Sequence, residues 1–285
     1  MNRRHLLQYS LSAGLAALLQ PAFSRVHASE VRFRIGACDW SIGPAGDRNA
    51  FKVAKQIGLD GVQVSLNTKT DYEHLRQPAM QRACREAAQQ AGVAIGGLAI
   101  GLLNEIPYKS DARTEAWVQD SVDVAKALGV KTVLLAFFNN NDLRNDKEGV
   151  QVVVERLKAV APKAEKAGVV LGIESWLSAP EHMAILDAVG SPAVKVYYDV
   201  CNSSVMGYNV FQEIRDLGKE RICEFHLKEN GHLLGKGQVD LVKVRQAIEA
   251  IGYEGWLQIE GAVPAGKPML ESYQYNNKTV RSLFS

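Results

Sequence analysis

Hydrophobic and polar residues follow two different periodicities along this chain from Arg32 onward. Short, mainly apolar runs are typical of buried strands. They alternate with longer segments in which apolar residues recur every three or four positions, as on one face of a helix. This strand-and-helix unit occurs eight times, with no low-complexity linker between units. The eight predicted strands span residues 32–38, 61–66, 94–100, 132–138, 169–175, 194–199, 222–228 and 255–260.

The predicted strands have the character of a parallel sheet. Residues 132–138 and 169–173 are almost continuously apolar, as expected of strands buried on both faces. Several helical segments end in a glycine before the next strand, as at Gly168, where a left-handed cap is favoured. Eight such units predict a single α/β domain at residues 29–285, a (β/α)8 TIM barrel. The alternative, an open doubly wound sheet, would need a glycine-rich phosphate turn after the first strand, and residues 35–39 do not supply one.

The first 28 residues differ from the rest of the chain. Arg3 and Arg4 form a twin arginine, an apolar run follows at residues 11–19, and residues 26–28 supply a small-residue cleavage site. The apolar run is shorter than the roughly 20 residues of a membrane span, so a stable membrane anchor is the weaker alternative. We expect residues 1–28 to be a cleavable twin-arginine-type signal peptide, and the mature protein to be periplasmic or secreted.

Charge and cysteine content exclude several classes of partner and site. Without residues 1–28, the chain has 30 basic and 31 acidic residues, spread without long runs. A chain with this charge balance has no basic patch of the kind that binds nucleic acid, and we therefore expect a small-molecule partner. The four cysteines are neither closely spaced nor arranged as a C-x-x-C pair, which argues against a disulfide scaffold and a cysteine zinc site. The oligomeric state stays open, a homo-oligomer included.

Four predicted strands in the second half of the chain end in a residue that can bind a metal ion. Each of these residues lies about one strand-and-helix unit from the next; they are Glu174, Asp199, His226 and Glu260. In a βα barrel, the carboxyl ends of the strands surround one mouth, which carries the active site. The four side chains are therefore predicted to meet there.

A meeting of three carboxylates needs a compensating charge. Carboxylates a few ångströms apart raise one another's pKa unless a cation lies between them. Three carboxylate oxygens and one imidazole suit one divalent metal ion: Mn²⁺, Mg²⁺, Co²⁺ or Zn²⁺. A single acid at a strand end is more often a helix N-cap or an ion-pair partner. The metal prediction therefore depends on all four positions being in register.

Compact motifs surround these positions, at residues 172–174, 198–202, 225–229, 234–240 and 252–260. In these motifs the sequence resembles the xylose-isomerase-like family of barrel proteins, and the resemblance covers most of the mature chain. The family contains sugar and sugar-phosphate isomerases, ketose 3-epimerases, hydroxypyruvate isomerases and inositol-pathway dehydratases. The resemblance implies that the family's metal ligands fall on the same four strand-end residues. Ketose 3-epimerases usually have a histidine at the position of Asn202. They also tend to have an arginine a few residues after the metal-binding histidine, whereas the nearest basic residue on this strand is Lys228.

The strand-end residues and the resemblance together predict a metal-dependent sugar isomerase or epimerase. Such an enzyme removes a proton beside a carbonyl, and a cation stabilises the resulting enediolate. Glu174 and Glu260, at opposite ends of the set, are the predicted base and acid. Export favours an unphosphorylated carbohydrate. A lyase or hydrolase acting on a keto-glycoside or inositol derivative would begin with the same proton abstraction, and a carbohydrate-binding protein without turnover is a third hypothesis.

Further residues near this mouth are predicted to bind the substrate. Lys228 lies two positions after His226 and points the same way in an extended strand, although a solvated lysine beyond the strand end fits equally well. Trp176 is predicted to form an apolar wall, whereas for Trp40 a packed loop position is favoured. His182, at a helix start, is predicted to lie on the surface. The remaining predicted substrate contacts are Asn202, Glu105 and Asn104.

Overall fold

The computed structural model describes residues 32–284, which form a closed barrel of eight parallel strands in sequential order. All eight predicted strands are present, each with ends within one residue of the prediction. They are β1 (Phe33–Cys38), β2 (Gly61–Ser65), β3 (Ala94–Ile100), β4 (Thr132–Phe137), β5 (Val170–Ser175), β6 (Val194–Asp199), β7 (Ile222–Glu229) and β8 (Gly255–Gly261). The TIM-barrel prediction is confirmed. The predicted signal peptide, residues 1–28, lies outside the described residues.

Helices surround the barrel and connect its strands. They are α1 (Asp39–Ile42), α2 (Ala50–Ile57), α3 (Pro78–Ala91), α4 (Arg113–Leu128), α5 (Lys147–Ala167), α6 (Ala179–Val189), α7 (Val200–Val205), α8 (Val210–Arg221), α9 (Leu241–Ala250) and α10 (Met269–Phe284). The five helices α2 to α6 end at a glycine with positive φ, the conformation that glycine adopts without steric cost. Within residues 32–284, no helix combines the length and apolar character that crossing a membrane requires.

The inside of the barrel is uneven in side-chain size and polarity. On β3 and β4, small or aliphatic residues face inward, among them Ala99, Leu134 and Ala136. The strands on the other side carry buried polar side chains. The uneven filling leaves an open cavity over the small residues and places the polar side chains along one wall.

The pairing of β6 with β7 is irregular, and this irregularity brings two polar residues together. The register shifts between Val196 and Tyr197, after which Tyr197 lies beside Glu224 and Asp199 lies beside His226. Neighbouring residues in a parallel pair point to the same face of the sheet. Both pairs therefore project into the barrel, with the second pair nearer the mouth.

Gly172 on β5 makes room for the polar wall beneath the mouth. A Cβ atom at this position would lie 2.7 Å from Cys223 Sγ and 3.1 Å from Tyr197 Cβ. Both distances are too short for an added methyl group without movement of the neighbours. Glu174 follows two residues later on the same inward face, so this glycine lets the Tyr197 ring pack directly below the mouth.

Candidate metal centre

The structure brings together the four residues that the strand ends single out. One ligand atom from each of Glu174, Asp199, His226 and Glu260 lies within 4.8 Å of the corresponding atoms of the other three. Glu174, Asp199 and His226 are buried, whereas Glu260 is partly exposed at the mouth. The predicted convergence is therefore present, with three oxygen donors and one nitrogen donor around a common point.

One ring nitrogen of His226 faces all three acids. His226 Nδ1 lies 2.8 Å from Glu174 Oε1, 3.6 Å from Glu260 Oε2 and 3.9 Å from Asp199 Oδ2. The other ring nitrogen, Nε2, points away from the carboxylates, into the barrel interior. The imidazole thus presents a single atom to the acidic cluster, which is the geometry of a monodentate metal ligand.

Two donors hold the carboxylate of Glu260. Lys228 Nζ donates to Glu260 Oε2 at 2.8 Å and lies 3.8 Å from Asp199 Oδ2. Trp40 Nε1 donates to Glu260 Oε1 at 2.9 Å. Lys228 therefore faces the site and is not a solvated lysine beyond the strand end. The preference for Trp40 as a packed loop residue is wrong, because the short helix α1 directs its ring over the mouth.

Burial and neighbouring charges shift the pKa values of the cluster in opposite directions. Burial raises the pKa of Asp199 to about 7, with Lys228 opposing the shift. Burial also disfavours the charge on Glu260, but Lys228 and His226 outweigh it and lower the pKa of Glu260 to about 2. For His226, burial is outweighed by Cys38 and the acids Glu174 and Glu260, and the pKa rises well above 6.5. The cluster thus strongly favours positive charge at its centre.

Asp199 provides an independent test of whether a metal ion fits. Its Oδ1 accepts hydrogen bonds from the backbone N–H groups of Cys201 and Asn202, both at 2.8 Å, and so begins helix α7. Its Oδ2 is buried and has no hydrogen-bond partner within the described residues. A buried carboxylate oxygen without a partner is costly unless a cation satisfies it. This oxygen faces His226 Nδ1, so the residues present fit a divalent ion.

A cavity of about 400 Å³ opens above the acidic cluster. This volume is within the usual range of small-molecule sites, about 300–1,000 Å³. Glu174, Glu260 and Lys228 form part of its floor. The wall residues combine apolar surfaces with amides; they include Leu134, Ala136, Phe138, Trp40, Trp176, Asn67, Asn104 and Asn202. The cavity therefore offers apolar faces and hydrogen-bonding groups, the combination that a carbohydrate requires.

The predicted substrate contacts all line this cavity, but they are not equally available. Trp176 packs edge-on against Phe138, with ring centroids 5.1 Å apart, and Asn202 is a buried part of the cavity wall. Asn104 Oδ1 already accepts from the backbone N–H of Phe138 at 3.0 Å, so it holds the loop after β4. Glu105 is exposed at the rim, where it forms an ion pair with Lys69.

The predicted surface position of His182 is wrong. The side chain is buried, and its Nε2 lies 2.9 Å from Ser175 Oγ, a hydroxyl that also accepts from the backbone N–H of Leu177. His182 thus fixes the turn between β5 and α6. Burial lowers the pKa of His182 to about 4, so the imidazole stays neutral at physiological pH.

Three polar residues below the cluster were not predicted from the sequence: Gln63, Tyr197 and Glu224, all of which are buried. These residues lie inside mainly apolar strands, where a polar side chain looks incidental. Sequence spacing could have identified two of them. Tyr197 lies two positions before Asp199, and Glu224 lies two positions before His226. Residues two apart in a strand share a face.

The fold is an eight-stranded βα barrel, and three acids and a histidine meet at the ends of β5 to β8. Together, these features define a class of TIM-barrel proteins with an acidic site in the mouth. Residues 51–278 match the model of the xylose isomerase-like TIM barrel family. The chain belongs to this family.

Several relatives of the chain are epimerases. Over 212 residues, it is 27% identical to the 2-epi-5-epi-valiolone 7-phosphate 2-epimerase of an Actinoplanes species, a match that covers 72% of this chain and 78% of the relative. The solved structure of D-psicose 3-epimerase with D-tagatose from Clostridium cellulolyticum H10 superposes with a TM-score of 0.74 at 19% identity, covering 88% of this chain and 99% of that one. The 3-keto-D-glucoside 4-epimerase of E. coli gives the same TM-score and the same coverage at 14% identity. At these identities the two structures support the fold alone.

Proposed function

We propose that this protein is a divalent-metal-dependent sugar isomerase or epimerase that acts on an unphosphorylated carbohydrate. The observation that carries the proposal is the convergence of Glu174, Asp199, His226 and Glu260 at the floor of a cavity of sugar size. The epimerase name of the Actinoplanes relative supports the same reaction class. The metal ion is proposed from the donor set, which suits Mn²⁺, Mg²⁺, Co²⁺ or Zn²⁺.

The chemistry requires removal of a proton from a carbon beside a carbonyl group. A divalent ion held by the four residues would stabilise the negative charge that then develops on the substrate oxygens. Glu174 contacts His226 through Oε1, which leaves Oε2 for proton transfer as general base. Lys228 and Trp40 fix the orientation of Glu260 at the opposite side of the set. In this proposal, Glu260 exchanges a proton with the other face of the same carbon.

The charges around the cavity favour a neutral substrate. Among the described residues that line it, Lys69 and Lys228 are the cationic side chains. Lys228 is paired with Glu260, and Lys69 is paired with Glu105. A phosphate group needs an unpaired cation or free backbone N–H donors. We therefore infer a free sugar or keto-glycoside as substrate, and not a sugar phosphate.

The test is turnover in D₂O by purified, Mn²⁺-loaded protein with a panel of free ketohexoses, 3-keto-glycosides and sugar phosphates. An isomerase or epimerase incorporates deuterium at the reacting carbon without releasing a leaving group. Glu174→Gln and Glu260→Gln should each lower kcat by about 10²–10⁴-fold, the usual contribution of a general acid or base. The matched control is Glu213→Gln, a buried acid that contacts Tyr198 outside the barrel interior.

The alternatives give different results in the same assay. Release of water or an aglycone would instead indicate a lyase or hydrolase. Sugar binding without any turnover in the presence of Mn²⁺ would indicate a carbohydrate-binding protein. Turnover confined to sugar phosphates would contradict the substrate class proposed above.

We also propose that the protein is exported through a twin-arginine signal at residues 1–28. The support is the twin arginine, Arg3 and Arg4, followed by an apolar run too short for a membrane span. Cell fractionation of the full chain tests this proposal, with Arg3→Lys combined with Arg4→Lys as the matched variant. Export of the wild-type chain and retention of the double variant are expected, whereas equal fractionation of the two would contradict the proposal.

A further inference from the structure

A chain of hydrogen bonds runs from His226 down into the barrel interior, away from the acidic cluster. His226 Nε2 lies 3.1 Å from Gln63 Oε1. Gln63 Nε2 donates to the Tyr197 hydroxyl oxygen at 3.1 Å. The Tyr197 hydroxyl lies 3.1 Å from Glu224 Oε2. The four residues come from β2, β6 and β7, and each is at most 4% exposed, so solvent does not offer alternative partners.

The orientation of the Gln63 amide sets the direction of the bonds on either side of it. Its Nε2 donates to the Tyr197 hydroxyl oxygen, and that hydroxyl donates its one proton to Glu224 Oε2. The amide oxygen of Gln63 points toward His226, where an oxygen can only accept, so it accepts the Nε2 proton. Cys38 Sγ lies 3.3 Å from this oxygen and 3.3 Å from His226 Nε2, so the thiol packs against the same contact.

We propose that Gln63, Tyr197 and Glu224 are positioning residues that fix the ring orientation of His226 for metal binding. With its proton held on Nε2, the neutral imidazole of His226 presents the Nδ1 lone pair to the centre of the acidic cluster. The opposite tautomer would place a proton between the ring and the metal ion. This inference rests on the proposed metal site, but it does not depend on which sugar is turned over.

The arrangement explains why polar side chains occupy the barrel interior. Burying three neutral or charged polar groups is costly unless each finds a partner, and an apolar filling of the same volume would avoid the cost. Ring orientation of a metal-binding histidine is commonly fixed by a partner on its second nitrogen, and loss of that partner typically weakens metal affinity or activity by about 10–100-fold. Gln63 is that partner here, and the Tyr197 hydroxyl holds the other end of its amide.

Two substitutions test the proposal by Mn²⁺ calorimetry. Gln63→Leu removes the acceptor for His226 Nε2 and should weaken Mn²⁺ binding about 10-fold or more. Tyr197→Phe keeps the aromatic ring but removes the hydroxyl that accepts from Gln63 Nε2, so the amide is no longer held at that end and Mn²⁺ binding should weaken several-fold. The control is Glu213→Gln, which alters a comparable buried pair of a tyrosine and an acid, because Tyr198 Oη donates to Glu213 Oε2 at 2.9 Å. It should bind Mn²⁺ like the wild type.

The protonation of the ring is read separately, from proton–nitrogen correlation spectra of histidine side chains in the Mg²⁺- or Zn²⁺-loaded protein. We expect His226 to show a slowly exchanging Nε2–H resonance in the wild type and in Glu213→Gln. The resonance should exchange rapidly or disappear in Gln63→Leu. A merely structural role for Gln63 would leave the resonance unchanged.

The outcomes separate this inference from the proposed function. Mn²⁺ affinities of Gln63→Leu and Tyr197→Phe within about twofold of the wild type would overturn the inference, as would a ring protonated on Nδ1 in the loaded protein. If Gln63→Leu does not fold, Tyr197→Phe decides the question. A wild-type protein that binds no Mn²⁺, Mg²⁺ or Zn²⁺ would overturn the metal site itself. If the expected affinities and spectra are found but no sugar is turned over, only the proposed function is contradicted.

Discussion

The substitution Asp199→Asn separates the metal-binding role of Asp199 from its structural role. Asp199 uses Oδ1 to cap helix α7, and an asparagine amide oxygen can accept the same two backbone hydrogen bonds. Its Oδ2, which has no hydrogen-bond partner among the described residues, would become an amide N–H₂ group that repels a cation. The metal-free variant should therefore fold with a Tm close to that of the wild type, and only the response to metal should change.

The size of that response follows from mass action. A ligand that binds only the folded state stabilises it by about 2.7 kcal/mol when present at about 100 times its Kd. For a domain of this size, about 1 kcal/mol corresponds to about 2–4 °C in Tm. Wild-type protein freed of metal with EDTA and then given Mn²⁺ at this excess should gain about 5–11 °C. Asp199→Asn should gain little or nothing under the same conditions.

The assay is scanning calorimetry of both proteins with and without Mn²⁺. Asp187→Asn is the matched control, because Asp187 is an exposed acid on helix α6 and its loss changes the net charge by the same amount. This control should keep the full metal-dependent shift. If Asp199→Asn gained as much from Mn²⁺ as the wild type, Asp199 would not be a ligand and the proposed metal centre would be wrong.

Three further predictions concern packing, acid stability and the orientation of Glu260. Gly172→Ala adds a methyl group against Tyr197 and should lower the free energy of unfolding by about 1–3 kcal/mol in urea titrations; no change would show that the wall can relax. His182 has its pKa lowered to about 4, so the unfolded state binds more protons as pH falls from about 6.5 towards 4, and stability is lost in that window. His182→Gln should therefore lose about 2 kcal/mol less than the wild type between pH 7 and pH 4.5, and equal losses would count against a buried neutral imidazole. Trp40→Phe keeps an aromatic ring but removes the donor to Glu260, so kcat should fall while Mn²⁺ affinity changes little; an unchanged kcat would exclude a role for this hydrogen bond.

The strand-end residues could be predicted because the physics of a parallel barrel constrains them closely. Strands buried on both faces appear as apolar runs, and a polar residue at the end of such a run lies at the mouth. Glu174, Asp199, His226 and Glu260 all follow this rule, and the structure brings them within 4.8 Å of one another. No knowledge of helix packing is needed to reach this result.

Contacts between strands that the closed barrel brings together decided the roles of Trp40 and Lys228, for which the sequence left two alternatives. Trp40 contacts Glu260 across a separation of 220 residues, and this contact exists only because the barrel closes β1 against β8. Lys228 pairs with the same carboxylate because β7 and β8 place these two residues side by side. Neither a local pattern nor residue type distinguishes such an inward contact from a solvated or packed side chain.

By itself, the sequence determined the eight strands, their parallel character and the set of acids at the mouth, because hydrophobic periodicity and strand ends are local properties of the chain. Only the tertiary structure decided the register between β6 and β7, where a shift after Val196 sets Asp199 beside His226 and Tyr197 beside Glu224. When both faces of a strand are buried, no alternation of polar and apolar residues specifies its register. Packing in the closed barrel fixes that register, and with it the path of hydrogen bonds from Glu224 to His226.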